Sequence, residues 1–288
     1  MMNTQAKRSH KFWPTVIATG IVVLLTVYFL FPVYWQFIAT SKTSNELATT
    51  NGLLPSIPPN TWGNLKALFT AEGGVYPRWF VNSLIYSGVG GVLCTLISGI
   101  TGYVLAFLKF RGRSLVTVII LIGTLVPATV LAFPLYLLLA KMHLIDTYWA
   151  FLLPSLVSPL AVFLSRMFAQ QSIPYEVIEA ARIDGMGEIR IAFGMGLRLM
   201  GTGLVTVLLL QVIAIWNNFF LPLMVLTSSD LYPATLGLYM WNSRVTQAPD
   251  YQVLVLVGAL IACIPLVILF LSLQRYLKAG LTAGAVKA

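Results

Sequence analysis

The sequence predicts an all-α membrane protein that crosses the bilayer six times. Its 288 residues are 58% hydrophobic, with a mean hydropathy of +0.85, and a soluble fold could not cover so much apolar surface. Six apolar stretches approach the roughly 20 residues that a helix needs to cross a bilayer. No segment shows the alternating polarity of a membrane β-strand. The predicted spans, all within a single domain of residues 1–288, are 12–38, 79–108, 115–140, 148–164, 201–226 and 253–273.

The distribution of basic residues predicts the orientation of these spans. Of the 18 Lys and Arg residues, 13 fall in the termini and loops on one side and five in the loops on the other. Because loops rich in Lys and Arg stay in the cytoplasm, both termini and the segment 170–200 are expected there. The sequence thus predicts a multi-pass protein of an inner or plasma membrane. Its high pI follows from this topology and favours anionic lipid, not nucleic acid, as a contact.

The segment 170–200 is a polar island between two apolar stretches. In a chain that is only 9% charged, it gathers Glu176, Glu179, Arg182, Asp184, Glu188, Arg190 and Arg198. Ser172 is expected to cap a helix whose first turn holds Pro174, and Gly185 suits a left-handed C-cap. Ala180 and Ala181 would leave a shallow surface that a partner can approach. A docking helix and a merely solvated connector both fit this pattern.

Proline and amide residues point to a pathway through the membrane. Pro127 and Pro134 in the third span, and Pro154 and Pro159 in the fourth, predict kinks. Broken helices are tolerated where they line a cavity, although proline is common in membrane helices generally. Polar side chains at membrane depth need a partner or water. Four amide side chains lie in the predicted spans: Asn82 in the second span, and Gln211, Asn217 and Asn218 in the fifth. They either form hydrogen bonds with neighbouring helices or face a solute.

Several classes of function lose their support. The chain has no G-x-x-x-x-G-K-[ST] phosphate loop, so it is not expected to bind ATP itself. None of the six predicted spans contains Asp, Glu, Lys, Arg or His, which disfavours proton-coupled transport. No catalytic residues, metal ligands or cofactor are expected. Energy for transport would then have to enter from outside the chain; a non-transporting membrane scaffold is the alternative.

Two motifs carry a resemblance to a known family. Glu179-Ala180-Ala181 followed by Asp184-Gly185 resembles the EAA signature of permease subunits in binding-protein-dependent ABC importers. The ending resembles the Q-R-x-x-x-x-G-L-T-x-G-A-V-K tail of the sugar-type, maltose-type permeases, and its matching residues are Gln274, Gly280, Thr282, Gly284 and Lys287. Further agreements lie at Ser41-Lys42, Asn82-Ser83, Asp146-Thr147 and Trp216-Asn217.

The resemblance implies half of the translocation pathway for a carbohydrate, with a di- or oligosaccharide favoured and a polyol or glycerol-phosphate as the alternative. It implies a second permease subunit, an ATP-binding-cassette ATPase dimer that binds the ATP and Mg²⁺, and an extracytoplasmic solute-binding protein. The EAA residues would form a coupling helix that docks on the ATPase. The tail 274–288 would contact the ATPases, and the outer loop 227–252 would reach toward the binding protein. Met186, Ala192 and Arg198 depart from the motif, so altered docking is expected in its second half.

Overall fold

The computed structural model describes the backbone of residues 6–283 and the side chains of residues 14–276. Contacts divide the chain into two compact units. One consists of the residues up to Leu68 together with Trp241–Leu260, and the other consists of Phe69–Met240 with the residues from Ile261 onward. Every regular element in the described part of the chain is helical, which confirms the all-α prediction.

The fifteen α-helices of the described residues follow one another closely. They are α1 (Ala6–Thr40), α2 (Ser44–Thr49), α3 (Thr61–Thr70), α4 (Val75–Phe107), α5 (Arg113–Leu125), α6 (Ala128–Lys141), α7 (Tyr148–Ser155), α8 (Pro159–Ser172), α9 (Tyr175–Ile183), α10 (Glu188–Ile191), α11 (Leu197–Leu199), α12 (Gly201–Trp216), α13 (Phe220–Val225), α14 (Ala234–Asn242) and α15 (Asp250–Ala283). A π-helical turn, Ala192–Gly196, joins α10 to α11.

Four helical segments of the described chain are long and apolar enough to cross a membrane by themselves. They are Pro14–Thr40, Val75–Phe107, Tyr148–Ser172 and Asp250–Tyr276. Two further candidates are sharply bent pairs, α5 with α6 at 107° and Glu188–Leu199 with α12 at 79°. The described residues therefore contain four candidate spans, or up to six if each bent pair is one span.

The predicted third span, residues 115–140, is not one continuous helix. It breaks at Val126 and Pro127, where Val126 takes an extended conformation with φ −76° and ψ 121°. Proline has no N–H to donate, and its ring disfavours the helical conformation of the preceding residue. The predicted kink is confirmed at Pro127, whereas Pro134 lies inside α6.

The predicted fifth span, residues 201–226, is also interrupted. Helix α12 ends at Trp216, and α13 begins only at Phe220. Pro222 has no N–H for the carbonyl of Asn218, so a continuous helix would lose that hydrogen bond. The side chain of Asn218 instead accepts a hydrogen bond from the N–H of Leu221, at 3.3 Å. Residues 217–219 therefore form a short non-helical connection at the end of α12.

Helix α4 packs directly on α8 and α12 through glycine. A Cβ atom at Gly102 would lie 2.6 Å from the backbone nitrogen of Arg166, and one at Gly91 would lie 2.5 Å from Cγ2 of Val212. Small residues let membrane helices approach this closely. The glycines of the second predicted span thus hold three helices in close contact.

The unit that begins with α1 holds its outer loop by buried polar contacts. The Nδ2 atom of Asn64 donates to the backbone oxygens of Thr40 and Lys42, both at 2.8 Å. The ammonium of Lys42 is buried and donates to the hydroxyl of Thr50 and to the carbonyl of Asn51. These bonds give Lys42 a structural role in the segment after α1.

Candidate docking helix and solute pathway

Helix α9 forms within the polar island, and its ends differ in part from the sequence prediction. Ser172 is the last residue of α8 and does not cap α9, because Pro174 occupies the N-cap position without a side-chain hydrogen bond. At the other end Gly185 has φ +78°, as predicted. The N–H of Gly185 donates to the carbonyl of Arg182, and the N–H of Met186 donates to that of Ala181, both at 3.0 Å. This pair of bonds is a Schellman motif.

One face of α9 is buried within its own chain. Ile178 and Ala181 belong to an apolar cluster, called here the inner cluster, whose other members are Tyr103, Phe107, Ala169, Ile173, Ile191, Ala192 and Met200. Ala181 is only 4% exposed. The expectation that both alanines form a docking surface is therefore wrong for Ala181, since that side chain points toward the chain's own interior.

The opposite face of α9 is exposed. It presents Glu179 and Ala180, and Asp184 and Gly185 follow at its end. Ile183 is 86% exposed, although it is a large aliphatic residue. Ile183 was not among the residues predicted for this surface, although it lies on the side of the nine-residue helix away from the buried Ile178. Glu179, Ala180 and Ile183 are here called the outer face of α9.

The departures from the EAA pattern have structural explanations. Met186 follows the left-handed glycine and packs against the inner cluster, the apolar contact that commonly accompanies a Schellman motif. Ala192 is buried in the same cluster. Arg198 is exposed in α11, and the chain turns by 79° just beyond it, between α11 and α12. The chain thus turns by 79° into α12 without a proline at position 198.

Three helix breaks meet around a cavity of about 530 Å³. The breaks lie between α5 and α6, between α7 and α8, and between α12 and α13. Lining residues include Gln211, Asn217 and Asn218, together with Thr129 and Ser158. None of the cavity-lining residues is Asp, Glu, Lys, Arg or His. The structure therefore brings the amides of the predicted fifth span together with the proline-broken helices, as the sequence suggested.

The three amides lining the cavity also make hydrogen bonds within the chain. The Oε1 atom of Gln211 accepts a weak hydrogen bond from Sγ of Cys94 at 3.6 Å. The Nδ2 atom of Asn217 donates to the carbonyl of Ile213 at 3.0 Å, and Asn218 accepts from Leu221. Among the described residues, each of these hydrogen bonds uses one of the two polar atoms of its amide group.

Asn82 does not line this cavity. It is 1% exposed, and its Nδ2 atom donates to the carbonyls of Asp230 and Tyr232 at 2.8 and 3.0 Å. Its Oδ1 atom accepts from the hydroxyl of Tyr148 at 2.8 Å. The prediction of Asn82 as a pathway residue is therefore wrong: its hydrogen bonds are used to hold the segment after α13 against α4.

Asp146 fastens the same segment from another side. The residue has φ +59°, and its carboxylate accepts hydrogen bonds from the N–H groups of Thr227 and Ser228 at 2.9 and 2.8 Å. Partial desolvation raises the pKa of Asp146, but the hydrogen bonds from Ser228 and Thr227 outweigh it and lower this pKa to about 2. Thr147 occupies the N-cap position of α7, as predicted for the Asp146-Thr147 pair, but its side chain makes no capping hydrogen bond.

Replacing Asp146 with Ala is expected to loosen residues 226–232, because two backbone N–H groups lose their acceptor. Amide hydrogen exchange of that segment should become faster. The lowered pKa means that the stabilisation is present above pH 3.8 and is lost only as the pH falls through about 2. Protection in the unmodified protein should therefore be constant from pH 5 to 8. Asp230→Ala is the control, because its ion pair with Arg78 is exposed; equal loosening in both variants would contradict the assignment.

The first part of the tail is helical. Helix α15 continues to Ala283, so Gln274, Gly280 and Thr282 belong to it. Gln274 is half-buried. Gly284 and Lys287 lie outside the described residues.

A multi-span helical protein with a cavity between broken helices, and with an exposed helix on a polar segment, has the organisation of a membrane transport component. Residues 98–283 match the family described as the inner membrane component of binding-protein-dependent transport systems. The chain belongs to this family, whose members are non-catalytic subunits of the bacterial membrane.

Relatives and a solved structure support this membership over nearly the whole chain. The arabinooligosaccharides transport system permease protein AraQ of Halalkalibacterium halodurans is 38% identical over 96% of both chains. The sn-glycerol-3-phosphate transport system permease protein UgpE of Yersinia pestis is 28% identical over 90% of this chain and 93% of its own. A crystal structure of a bacterial ABC transporter that imports the polysaccharide alginate has the same fold. Its TM-score is 0.77 at 20% identity, and the match covers 96% of this chain and 99% of that one.

Proposed function

We propose that this chain forms half of the solute pathway of an ATP-driven importer for a carbohydrate, with a di- or oligosaccharide as its solute. A second permease subunit would supply the other half. An ATPase dimer would bind the ATP and Mg²⁺, and a solute-binding protein would deliver the solute. The identity of 38% to an arabinooligosaccharide permease supports the choice of solute class.

The observation that carries the coupling role is the outer face of α9. The exposed Ile183 lies beside Glu179 and Ala180, so a partner that docks here would remove apolar surface from water and contact a charged group. The inner face of the same helix is anchored in the inner cluster. A force applied to the outer face would therefore reach the rest of the chain. Closure of the ATPase dimer would move α9 and shift the bundle between inward- and outward-facing states.

The cavity supports a neutral, hydroxyl-rich solute. Its amide and hydroxyl groups can donate to and accept from sugar hydroxyls, and its apolar residues can cover the carbon faces of a sugar ring. An anionic solute such as a glycerol phosphate would find no cation among the cavity-lining residues of this chain. That alternative is retained because of the similarity to a glycerol-3-phosphate permease.

Uptake into proteoliposomes that hold all subunits tests the function. Arabinotriose should accumulate only with ATP inside the vesicles and with its binding protein outside, since coupling requires both partners. Glycerol-3-phosphate should not accumulate under the same conditions. If only glycerol-3-phosphate accumulates, the proposed solute class is replaced. If neither solute accumulates although the ATPase is bound and hydrolyses ATP, carbohydrate import is contradicted.

Alanine at Gln211, Asn217 or Asn218 is expected to raise the KM for uptake, because each substitution removes an amide from the cavity wall. One lost hydrogen bond to an uncharged solute corresponds to about a threefold to tenfold change. Gln211→Glu is the sharper variant, since it places a charge at nearly the same volume. Wild-type uptake kinetics in all four variants would show that these amides only bond neighbouring helices.

The proposed topology places both termini and α9 in the cytoplasm. Cysteines introduced at Thr50 and Thr246 should react in intact cells with a thiol reagent that cannot cross the membrane, whereas a cysteine at Ala283 should react only after the cells are opened. The asymmetry of 13 basic residues against five motivates this expectation. Labelling at Ala283 from outside would reverse the orientation.

The remaining contacts follow from the same proposal. The C-terminal tail with Gln274, Gly280, Thr282, Gly284 and Lys287 would contact the ATPases, on the strength of its resemblance to sugar-type permeases. The loop 227–252 would face the binding protein. Asn82 and Asp146 hold the first part of that loop, so its approach to a partner would be rigid there.

A further inference from the structure

We propose that the ion pair between Arg182 and Glu188 is the positioning contact that makes α9 and α12 move together. The Nε atom of Arg182 donates to Oε1 of Glu188 at 2.6 Å, a short charge-assisted hydrogen bond. Arg182 lies in the last turn of α9, and Glu188 is the first residue of α10. This inference rests on the proposed function, because it concerns how movement of the docking helix reaches the cavity.

The ion pair bridges the turn between α9 and α10. Between its two residues the chain passes through Gly185 and Gly187, and a Cβ atom at either glycine would meet nothing within 4 Å. Packing therefore does not restrain these two positions, and glycine is the residue with the greatest backbone freedom. The ion pair across this turn acts together with the inner cluster and the Schellman bonds to make α9 and α10 move as one body.

The pair is partly buried at the surface of the inner cluster. Its side chains are 32% and 41% exposed, so it is partly withdrawn from water, and its hydrogen bond is screened less than one on the open surface. Oε2 of Glu188 is buried without a hydrogen-bond partner among the described residues, and so is the hydroxyl of Tyr103. Tyr103, on α4, packs in the inner cluster with Ala181 of α9 and Ile191 of α10. The pair therefore lies at the junction of α4, α9 and α10.

From Glu188 the chain leads to the cavity through two close contacts between helices. Helix α10 continues through the π-helical turn, where a Cβ atom at Gly196 would lie 2.8 Å from Cδ2 of Tyr103. Just beyond the bend, a Cβ atom at Gly203 would lie 2.4 Å from Cγ of Phe168. At these two positions a displacement of α10 would press directly on α4 and α8, although Gly194 and Gly201 on the same stretch of chain have no such contact. Helix α12 would therefore follow, and it carries Gln211 and ends beside Asn217.

The test uses the assembled importer in nanodiscs, with arabinotriose-loaded binding protein as the stimulant. Arg182→Gln and Glu188→Gln should each lower the stimulation of ATP hydrolysis about tenfold, since mutations along a coupling path change coupling on that order. The unstimulated rate and the co-purification of the ATPase should not change. The charge-swapped variant, Arg182→Glu with Glu188→Arg, should restore a large part of the stimulation. Arg190→Gln removes a positive charge from the same helix α10 and should have no effect.

A second readout does not depend on activity. Spin labels at Glu176 on α9 and Leu210 on α12, in a background without Cys94 and Cys263, should keep a constant separation when vanadate traps the nucleotide in the unmodified sequence. In Arg182→Gln this separation should change on trapping, because α9 follows the ATPase while α12 lags.

Three results would overturn the inference: normal stimulation in both single variants, no rescue by the charge swap, or loss of the ATPase from both single variants, which would assign the pair to docking itself. Failure of the proposed function would give a different result, because the wild-type complex itself would then lack bound ATPase or lack stimulation of ATP hydrolysis by the loaded binding protein.

Discussion

Replacing Gly185 with Val is expected to abolish solute-stimulated ATP hydrolysis while leaving the helices inserted in the membrane. Gly185 has φ +78°, a conformation that a β-branched residue adopts only at a cost of about 1–3 kcal/mol. The Schellman bonds of Gly185 and Met186 would be lost or distorted, and with them the position of α9 relative to α10. The measurement is ATPase stimulation and co-purification of the ATPase with the variant complex.

Two further variants separate conformation from side-chain bulk. Gly187→Val adds the same side chain at φ −71°, where a Cβ atom would meet nothing within 4 Å, so coupling should survive. Gly185→Asn should retain part of the coupling, because asparagine tolerates the left-handed region. Normal coupling in Gly185→Val would show that the polar island is a solvated connector and not a docking element.

Replacing Gly102 with Val is expected to prevent accumulation of folded protein. A Cβ atom at this position would lie 2.6 Å from the backbone nitrogen of Arg166 and 2.7 Å from the carbonyl carbon of Ser165. Backbone atoms cannot rotate away as a side chain can, so α4 and α8 would have to separate. Overpacking of this kind costs typically 1–3 kcal/mol, and a forced backbone displacement costs more. Yield and monodispersity of the detergent-extracted protein would report the effect.

The matched control is Gly88→Val on the same helix. Gly88 is exposed, and a Cβ atom there would meet nothing within 4 Å. Valine has the same intrinsic cost in both positions of α4, so the difference between the variants isolates the contact with α8. Equal yields of Gly88→Val and Gly102→Val would contradict the tight crossing of α4 and α8.

Local patterns predicted much of helix α9. Gly185 at the end of a short charged helix indicated the left-handed C-cap, and the structure has it. The two faces of α9 were harder to assign. Glu179, Ala180 and Ala181 are consecutive, so they point in different directions around a helix. Which of them is buried depends on Tyr103 and Met200, which are far away in the sequence, and the inner cluster takes Ala181.

The candidate pathway residues were also predicted only in part from the local sequence. Gln211, Asn217 and Asn218 line the cavity together with the proline-broken helices, as their polarity at membrane depth suggested. Asn82 has the same amide group, yet it is consumed by hydrogen bonds to Asp230, Tyr232 and Tyr148. An amide in a span is satisfied either by the protein or by a solute, and only the positions of distant residues distinguish the two.

The sequence by itself determined that this protein is helical and lies in a membrane, because apolar composition and span length depend on the local chain alone. It also located the helix breaks near Pro127 and the turn at Gly185, which follow from the missing N–H of proline and the missing Cβ of glycine. The tertiary structure decided which face of α9 is buried and which breaks meet at the cavity. It also placed Arg182 beside Glu188. Those features depend on contacts between side chains brought together by packing, and such contacts have no periodic signature in the sequence.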